Sequence, residues 1–423
     1  MARERELEPA GSPAERGRRI ALALGAALPP LAFLAAERFV FGDVAGFPLD
    51  DSWIHLVFAR SLAAGEGLSY GGGAPVPGST APLWTALLAL LSALPGSIFL
   101  WAKLAGIAAH AAATERVFAI GRALGLSSAR ATAAAALAAA AGWLAWSAVS
   151  GMEVSLFVWL SLAGLARHVE ERQEPSLPAV SLLLFGLAAL ARPEGLLLLA
   201  LALADRLLLP VAGAAGELRL ARPPWRRLAA GAVAAVLVVG AVAAVHWSLW
   251  GSPLPTTFAA KSGGSPRWLP DLLFLRGVFG LLFLAQPVAM LLAAGGAIEL
   301  GRRLGGARDR GQLLTLWTFG LPVASALLSS GQGVLVGNFG RYFFPLLAPL
   351  AILALVGLAP LAPGWGRIRL GRRLLPLGWL ALVMAKCHKC PKWRNADKPM
   401  QGRILECLCP PMIESAAPGS FIH

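Results

Sequence analysis

Residues 47–54 read Phe47-Pro48-Leu49-Asp50-Asp51-Ser52-Trp53-Ile54, and the chain continues through Arg60 to Gly65-Glu66-Gly67-Leu68-Ser69-Tyr70. Two adjacent carboxylates follow the first long apolar segment, and almost everything after them is hydrophobic. Acidic groups are costly to keep near lipid, so this pair is a functional-site candidate. Working outward, the chain has 423 residues, of which 57% are hydrophobic and 14% charged. A soluble domain carries about 25% charged residues. The composition therefore indicates an integral membrane protein that crosses the bilayer many times.

The net charge is +14, from 37 basic and 23 acidic residues. No basic stripe with interleaved aromatics is present, so nucleic acid is not an expected partner. The arginines fall instead in short loops between apolar runs, as membrane orientation requires. Fourteen Trp against two Tyr suit a chain with many bilayer interfaces. Arg3, Arg5, Arg16, Arg18 and Arg19 precede an apolar run that Pro29-Pro30 interrupts, with no small-x-small cleavage site after it. That reads as an uncleaved signal anchor.

Residues 20–41 are expected as the first span, with Glu37-Arg38 near its far end pairing or facing protein. Residues 42–96 then form a long external loop. Within it, 51–64 reads as an amphipathic helix with Trp53, Ile54, Val57, Phe58 and Leu62 on its apolar face. Residues 82–94, bounded by Pro82 and Pro95, are too short to span, because about 20 residues are needed. They are placed as a helix lying in the outer leaflet. Further spans fall near 97–120, 131–147, 153–167, 178–191, 195–210, 228–250, 271–298, 312–330, 342–361 and 374–385. The fold class expected is all-α, with about eleven transmembrane helices. The arginine-rich loops then share one side with the N-terminus, which puts that side in the cytoplasm and Asp50-Asp51 outside. No internal repeat is visible, and the Ala-rich run 131–141 suits close helix packing.

Three domains follow: a basic cytoplasmic N-terminus over 1–19, the transmembrane body over 20–385 with its loop 42–96, and a polar tail over 386–423. All four cysteines lie in that tail, as Cys387, Cys390, Cys407 and Cys409. Two cysteine pairs can hold zinc, and the same stretch also reads as a disordered or aberrant tail.

Several motifs in register carry a family likeness. They are Asp50-Asp51, Arg60, Gly65-x-Gly67-Leu68, and Gly78-Ser79-Thr80-Ala81-Pro82-Leu83-Trp84-Thr85. Ser150-Gly151-Met152-Glu153, Arg192-Pro193-Glu194-Gly195, Leu254-Pro255-Thr256-Thr257-Phe258-Ala259-Ala260-Lys261 and Asn338-Phe339-Gly340-Arg341-Tyr342 follow in order. Over residues 20–361 the chain resembles the GT-C glycosyltransferases, specifically bacterial arabinofuranosyltransferase-like and protein mannosyltransferase-like members. It departs from their pattern at Met152, where Leu is usual, at Thr256, where Asn is usual, and in its tail.

The resemblance implies transfer of a sugar from a polyprenyl-phosphate donor to an acceptor hydroxyl at the outer face of a bacterial inner membrane, with inversion. The acceptor would be an envelope glycan, lipid or protein. An attacking hydroxyl must lose a proton, which calls for a carboxylate base, and a departing lipid phosphate calls for cations. Asp50 is the expected base, with Asp51 orienting it or holding a second hydroxyl. Arg60, Arg192, Glu194, Lys261 and Arg341 are the expected substrate- and phosphate-binding residues. Some relatives use a divalent ion, but two carboxylates are too few oxygen ligands to demand one. The residues also carry plainer readings. One Asp can cap a helix, Arg192 and Glu194 can close a turn as an ion pair, and Trp84, Trp247 and Trp250 can anchor at the interface. His55, His110 and His246 read as packed or interfacial, and Asp205-Arg206 as a local pair. A multipass transporter or flippase, or an inactive truncated relative, are the competing functions.

Overall fold

The computed structural model describes residues 12–42, 46–70, 76, 78–174, 176–207, 210–212, 218–220, 225–253, 269–302, 311–328 and 342–361. All lie within one compact unit, Met1–Ile368. The expected tail 386–423 and its cysteines lie outside the described residues.

Helices α1 (Pro13–Ala26) and α2 (Leu28–Phe41) follow each other almost without a break. Ser12 caps α1 by accepting from the Glu15 amide at 3.1 Å, and proline stands in the first turn of each helix, where a missing N–H costs nothing. Next come α3 (Asp50–Ala63), α4 (Pro82–Leu91), α5 (Ile98–Ala123), α6 (Ser128–Ala139), α7 (Gly142–Val149) and α8 (Val154–Gln173). Then follow α9 (Val180–Ala191), α10 (Glu194–Leu207) and a two-stranded antiparallel pair, β1 (Pro210–Ala212) with β2 (Leu218–Leu220), in which Val211 faces Arg219. The series closes with α11 (Trp225–Trp250), α12 (Leu272–Ala285), α13 (Pro287–Arg302), α14 (Gln312–Thr315), α15 (Leu321–Leu328) and α16 (Leu347–Leu361). A π-helical turn, Leu316–Gly320, joins α14 to α15, and a 3₁₀ turn, Phe344–Leu346, leads into α16.

Three helical segments are long and apolar enough to cross a membrane: Pro13–Val40, Trp225–Trp250 and Phe344–Leu361. Two bent pairs raise the number to five among the described residues: α6 with α7, at 56°, and α12 with α13, at 113°. The chain is thus a helical, membrane-type protein, but eleven continuous spans are not what these residues show. The expected spans break where the backbone must turn. The run 131–147 divides at Ala140-Ala141, and 271–298 divides at Gln286-Pro287, where proline removes a helical donor.

Helix α8 lies at the centre, packed on α5 and α9 and buried around most of its circumference. An apolar helix buried on all sides belongs to a core. Small residues let its neighbours approach. The Ala131, Ala134, Ala135 and Ala138 face of α6 is buried, and α6 packs on α5 and α16. A Cβ on Gly296 would stand 2.0 Å from the Leu353 carbonyl, and one on Gly357 would stand 2.0 Å from that of Leu292. Only glycine permits α13 and α16 to meet backbone to backbone. Glu37, read as pairing or facing protein, receives Lys103 Nζ of α5 at 2.8 Å.

Candidate active site

The first turn of α3 carries the acidic pair. Leu49 occupies the N-cap position without a side-chain cap, and Asp50 and Asp51 both stand inside the helix. Neither aspartate is the capping residue. Asp50 is exposed and Asp51 half-buried. At a helix N-terminus the backbone dipole favours both charges. Arg60 is exposed in the last turn of the same helix. Ten residues of helix place it about 15 Å along the axis from Asp50, so α3 does not bring these two together.

The buried face of α3 differs from its apolar pattern. Phe58 is buried as expected, but Ser52, His55, Leu56 and Ala59 also point inward, while Trp53 is 42% and Leu62 36% exposed. The helix is turned this way because its polar side chains find partners in one short turn, Ser150-Gly151-Met152-Glu153, between α7 and α8. Ser52 Oγ donates to the Ser150 carbonyl at 2.8 Å. His55 Nε2 lies 3.1 Å from Glu153 Oε2. From α4, Trp84 Nε1 donates to the Gly151 carbonyl at 3.0 Å. Trp84 is buried to 1% exposure, so it is not an interface anchor.

Gly151 makes this turn feasible. Its φ is +81°, a conformation that side-chain-bearing residues rarely adopt. A Cβ there would meet the Phe47 ring at 2.4 Å. Phe47 in turn stacks edge-on against Trp53 and Phe99, with ring centroids 5.9 and 5.1 Å away, and its carbonyl accepts from Trp53 Nε1 at 3.1 Å.

The α9–α10 turn completes the cluster. Arg192 Nη1 donates to Glu153 Oε1 at 2.9 Å, and Nη2 to Glu194 Oε1 at 2.7 Å. The guanidinium also lies 5.9 Å from the Phe157 ring centre and 5.8 Å from that of Tyr342. Such cation–π contacts strengthen when desolvated, and Arg192 is only 5% exposed. Burial alone would push the Glu194 carboxyl up. The adjacent guanidinium outweighs burial and holds it below the ordinary carboxylate value. Beside Glu194 a narrow cleft is lined by Phe157, Phe274, Val278, Ser325, Tyr342 and Leu346.

The structure therefore gathers the Asp50-Asp51 helix, Trp84, the Ser150–Glu153 turn and Arg192-Pro193-Glu194 around one point. Both terminal nitrogens of Arg192 are committed to carboxylates. Lys261 and Arg341, and the four cysteines, lie outside the described residues. Among the described residues no group of three or more His, Cys, Asp or Glu side chains forms a metal cage. Sequence reasoning placed Glu153 in the Ser150–Glu153 motif and read His55 as packed or interfacial, and His55 is indeed buried; what it did not foresee is that the two pair with each other.

A second buried cluster lies at the other end of α8. His168 Nε2 meets Asp205 Oδ2 at 2.6 Å, Arg206 pairs with Glu171, and Glu171 accepts from the Ser181 amide and hydroxyl at 2.9 and 2.6 Å. Asp205 and Arg206 thus join α10 to α8 rather than pairing with each other locally.

No family model and no curated protein matches the chain. Among solved structures, the chain is similar to the apo oligosaccharyltransferase of Archaeoglobus fulgidus, with TM-score 0.54 and 12% identity over 87% of this chain and 54% of that one. A second structure, the oligosaccharyltransferase AglB of the same organism in complex with an inhibitory peptide and a dolichol-phosphate, gives TM-score 0.47 and 13% identity over 89% and 55%. The chain spans about half the length of these proteins. The fold it shares is that of an archaeal oligosaccharyltransferase.

Proposed function

We propose that the chain is a GT-C-type glycosyltransferase that moves a sugar from a polyprenyl-phosphate donor to an acceptor hydroxyl at the outer face of a membrane. The observation that carries this reading is the convergence at the start of α8. Pieces of the chain that share GT-C-like motifs, far apart in sequence, meet beside an exposed aspartate. The fold likeness to an oligosaccharyltransferase supports the same reading.

In this proposal Asp50 takes the proton from the acceptor hydroxyl as that oxygen attacks the anomeric carbon. Asp51 orients the base or holds a neighbouring hydroxyl. The lipid phosphate leaves from the opposite face of the sugar, so one displacement inverts the centre. Arg192 and Glu194 shape the floor of the site, since the guanidinium is already shared between two carboxylates. Lys261 and Arg341 are the cations assigned to the phosphate, with Arg60 further along α3. A bacterial inner membrane, a cytoplasmic N-terminus and an arabinofuranosyl- or mannosyltransferase-like subtype complete the proposal.

The test supplies purified protein with a panel of radiolabelled polyprenyl-phosphate sugars and crude envelope acceptor. Wild type is expected to transfer label from one donor. Asp50→Asn is expected to bind that donor and transfer at least 10²-fold more slowly, the size of a general-base contribution. Failure of the wild type to bind or transfer from any lipid-linked sugar would overturn the reading and favour transport.

A further inference from the structure

We infer that His55 is a positioning residue for the acidic pair, acting through its hydrogen bond to Glu153; this rests on the reading of Asp50 as the base. His55 is 4% exposed, and its Nε2 meets Glu153 Oε2 at 3.1 Å. The other oxygen of Glu153 accepts from Arg192. A carboxylate paired with a guanidinium accepts hydrogen bonds and does not donate them, so Nε2 carries the hydrogen. The Nδ1 atom is buried and has no hydrogen-bond partner. A buried ring nitrogen left unpaired is costly. The bond at Nε2 is therefore what holds an imidazole in this place, where an apolar side chain would pack without that penalty.

The position of the bond is what matters. His55 follows Asp51 by one helical turn, on the same side of α3. Ser52 pins the turn that bears the aspartates to the Ser150 carbonyl. His55 pins the next turn to the side chain that Arg192 holds. The two bonds fix both the rotation and the height of α3 against the start of α8. The aspartates ride on the first turn of this helix, so a shift of α3 against the start of α8 carries them with it. A displacement of about 1 Å in a catalytic group lowers turnover on the order of 10²-fold.

The experiment compares His55→Gln, His55→Asn and His55→Leu with wild type and Asp50→Asn, using the donor panel and envelope acceptor described above. The amide nitrogen of Gln reaches the place of histidine Nε2, whereas that of Asn reaches only the place of Nδ1. His55→Asn and His55→Leu are expected to lower kcat on the order of 10²-fold with little change in KM for the donor, and His55→Gln to recover most of it. Melting temperatures in detergent and amide exchange over residues 50–56 identify variants that have merely unfolded. A purely structural role would not separate Gln from Asn in kcat once both are folded. The inference falls if His55→Gln is as impaired as His55→Asn, or if both keep wild-type kcat while Asp50→Asn is inactive. If Asp50→Asn turns over like wild type, the assignment of the base falls and the inference with it. If wild type transfers from no donor, both are overturned.

Discussion

Arg192 Nη1 donates to Glu153 Oε1 at 2.9 Å, across 39 residues of chain and with both side chains almost fully buried. A guanidinium between two carboxylates ties the start of α8 to the α9–α10 turn. Helix α9 runs out from one buried cluster, and α8 and α10 run back alongside it, so that each end of this three-helix layer is closed by ionic side chains.

Removing that guanidinium takes away the cation that Glu153 and Glu194 share. Breaking a buried ion pair costs about 3–5 kcal/mol. Arg192→Leu is expected to lower the melting temperature in detergent sharply and to abolish transfer. Arg192→Lys recovers little, because an ammonium is a point charge and cannot reach Glu153 and Glu194 with two separate nitrogens. A lysine variant as stable as wild type would show that the fork geometry is unimportant.

Acid should loosen the same cluster in a defined window. Burial raises the Glu194 carboxyl, the Arg192 guanidinium lowers it more, and the folded value ends below the ordinary 4.5. In the unfolded chain the ordinary value returns. The stability from this group is therefore complete above pH 4.5 and is lost as pH falls through the lower folded value. Melting temperatures followed from pH 7 down to about pH 3 should bend downward in that window. Glu194→Gln should flatten the bend while lowering stability at neutral pH.

Gly151 is expected to tolerate no side chain. Its left-handed φ alone costs about 1–3 kcal/mol for other residues, and the new methyl would overlap the Phe47 ring. Gly151→Ala should destabilise the protein and, by displacing Phe47 and the turn beneath α3, reduce transfer. Gly142→Ala is the control. A Cβ there meets nothing within 4 Å, so it should be neutral or slightly stabilising, by up to about 1 kcal/mol. Equal losses at the two glycines would remove the local explanation.

Trp84→Phe deletes the indole N–H together with the smaller ring, so a cavity cost adds to the lost hydrogen bond at this buried position. The Gly151 carbonyl then loses its buried donor, at about 1–3 kcal/mol. A tryptophan serving only as an interface anchor would tolerate Phe with no such loss, so comparing Trp84→Phe with Trp247→Phe in thermal melts separates the two roles.

What could be read from the sequence divides along a physical line. The apolar composition, the short helix at Pro82–Leu91 and the tight turn at Arg192-Pro193-Glu194 follow from local chemistry: proline placement, segment length and charge density. The facing of α3 did not. Periodicity puts Trp53 and Leu62 on the inner face, yet Ser52 and His55 point inward because their partners, Ser150 and Glu153, arrive from 98 residues away. Trp84 misleads for the same reason, since nothing near it in sequence announces the Gly151 carbonyl. Helix breaks at Ala140-Ala141 were equally hidden, because an alanine run carries no stop signal. Asp205 and Arg206 read as a local pair only until α8 supplies closer partners in His168 and Glu171.

The two ends of α8 allow scaffold and site to be told apart. Glu153 and Glu171 are 18 residues apart, about 27 Å along a helix. Both are buried and both hold an arginine, Arg192 and Arg206. Glu171→Gln keeps the serine contacts at Ser181 but leaves Arg206 with less compensating charge, so it should lower stability by up to the 3–5 kcal/mol of a broken buried pair. Transfer by the surviving folded protein should keep its wild-type kcat, because the first turn of α3 touches only the far end of α8. Glu153→Gln should lower stability comparably and also depress kcat, since it weakens the partners of His55 and Arg192 together. Measuring kcat per folded molecule for the two variants side by side decides the matter. Equal depression would mean that α8 transmits strain along its length and that the site is not confined to the Ser150–Glu153 turn. A loss confined to Glu153→Gln would place the chemistry at that turn.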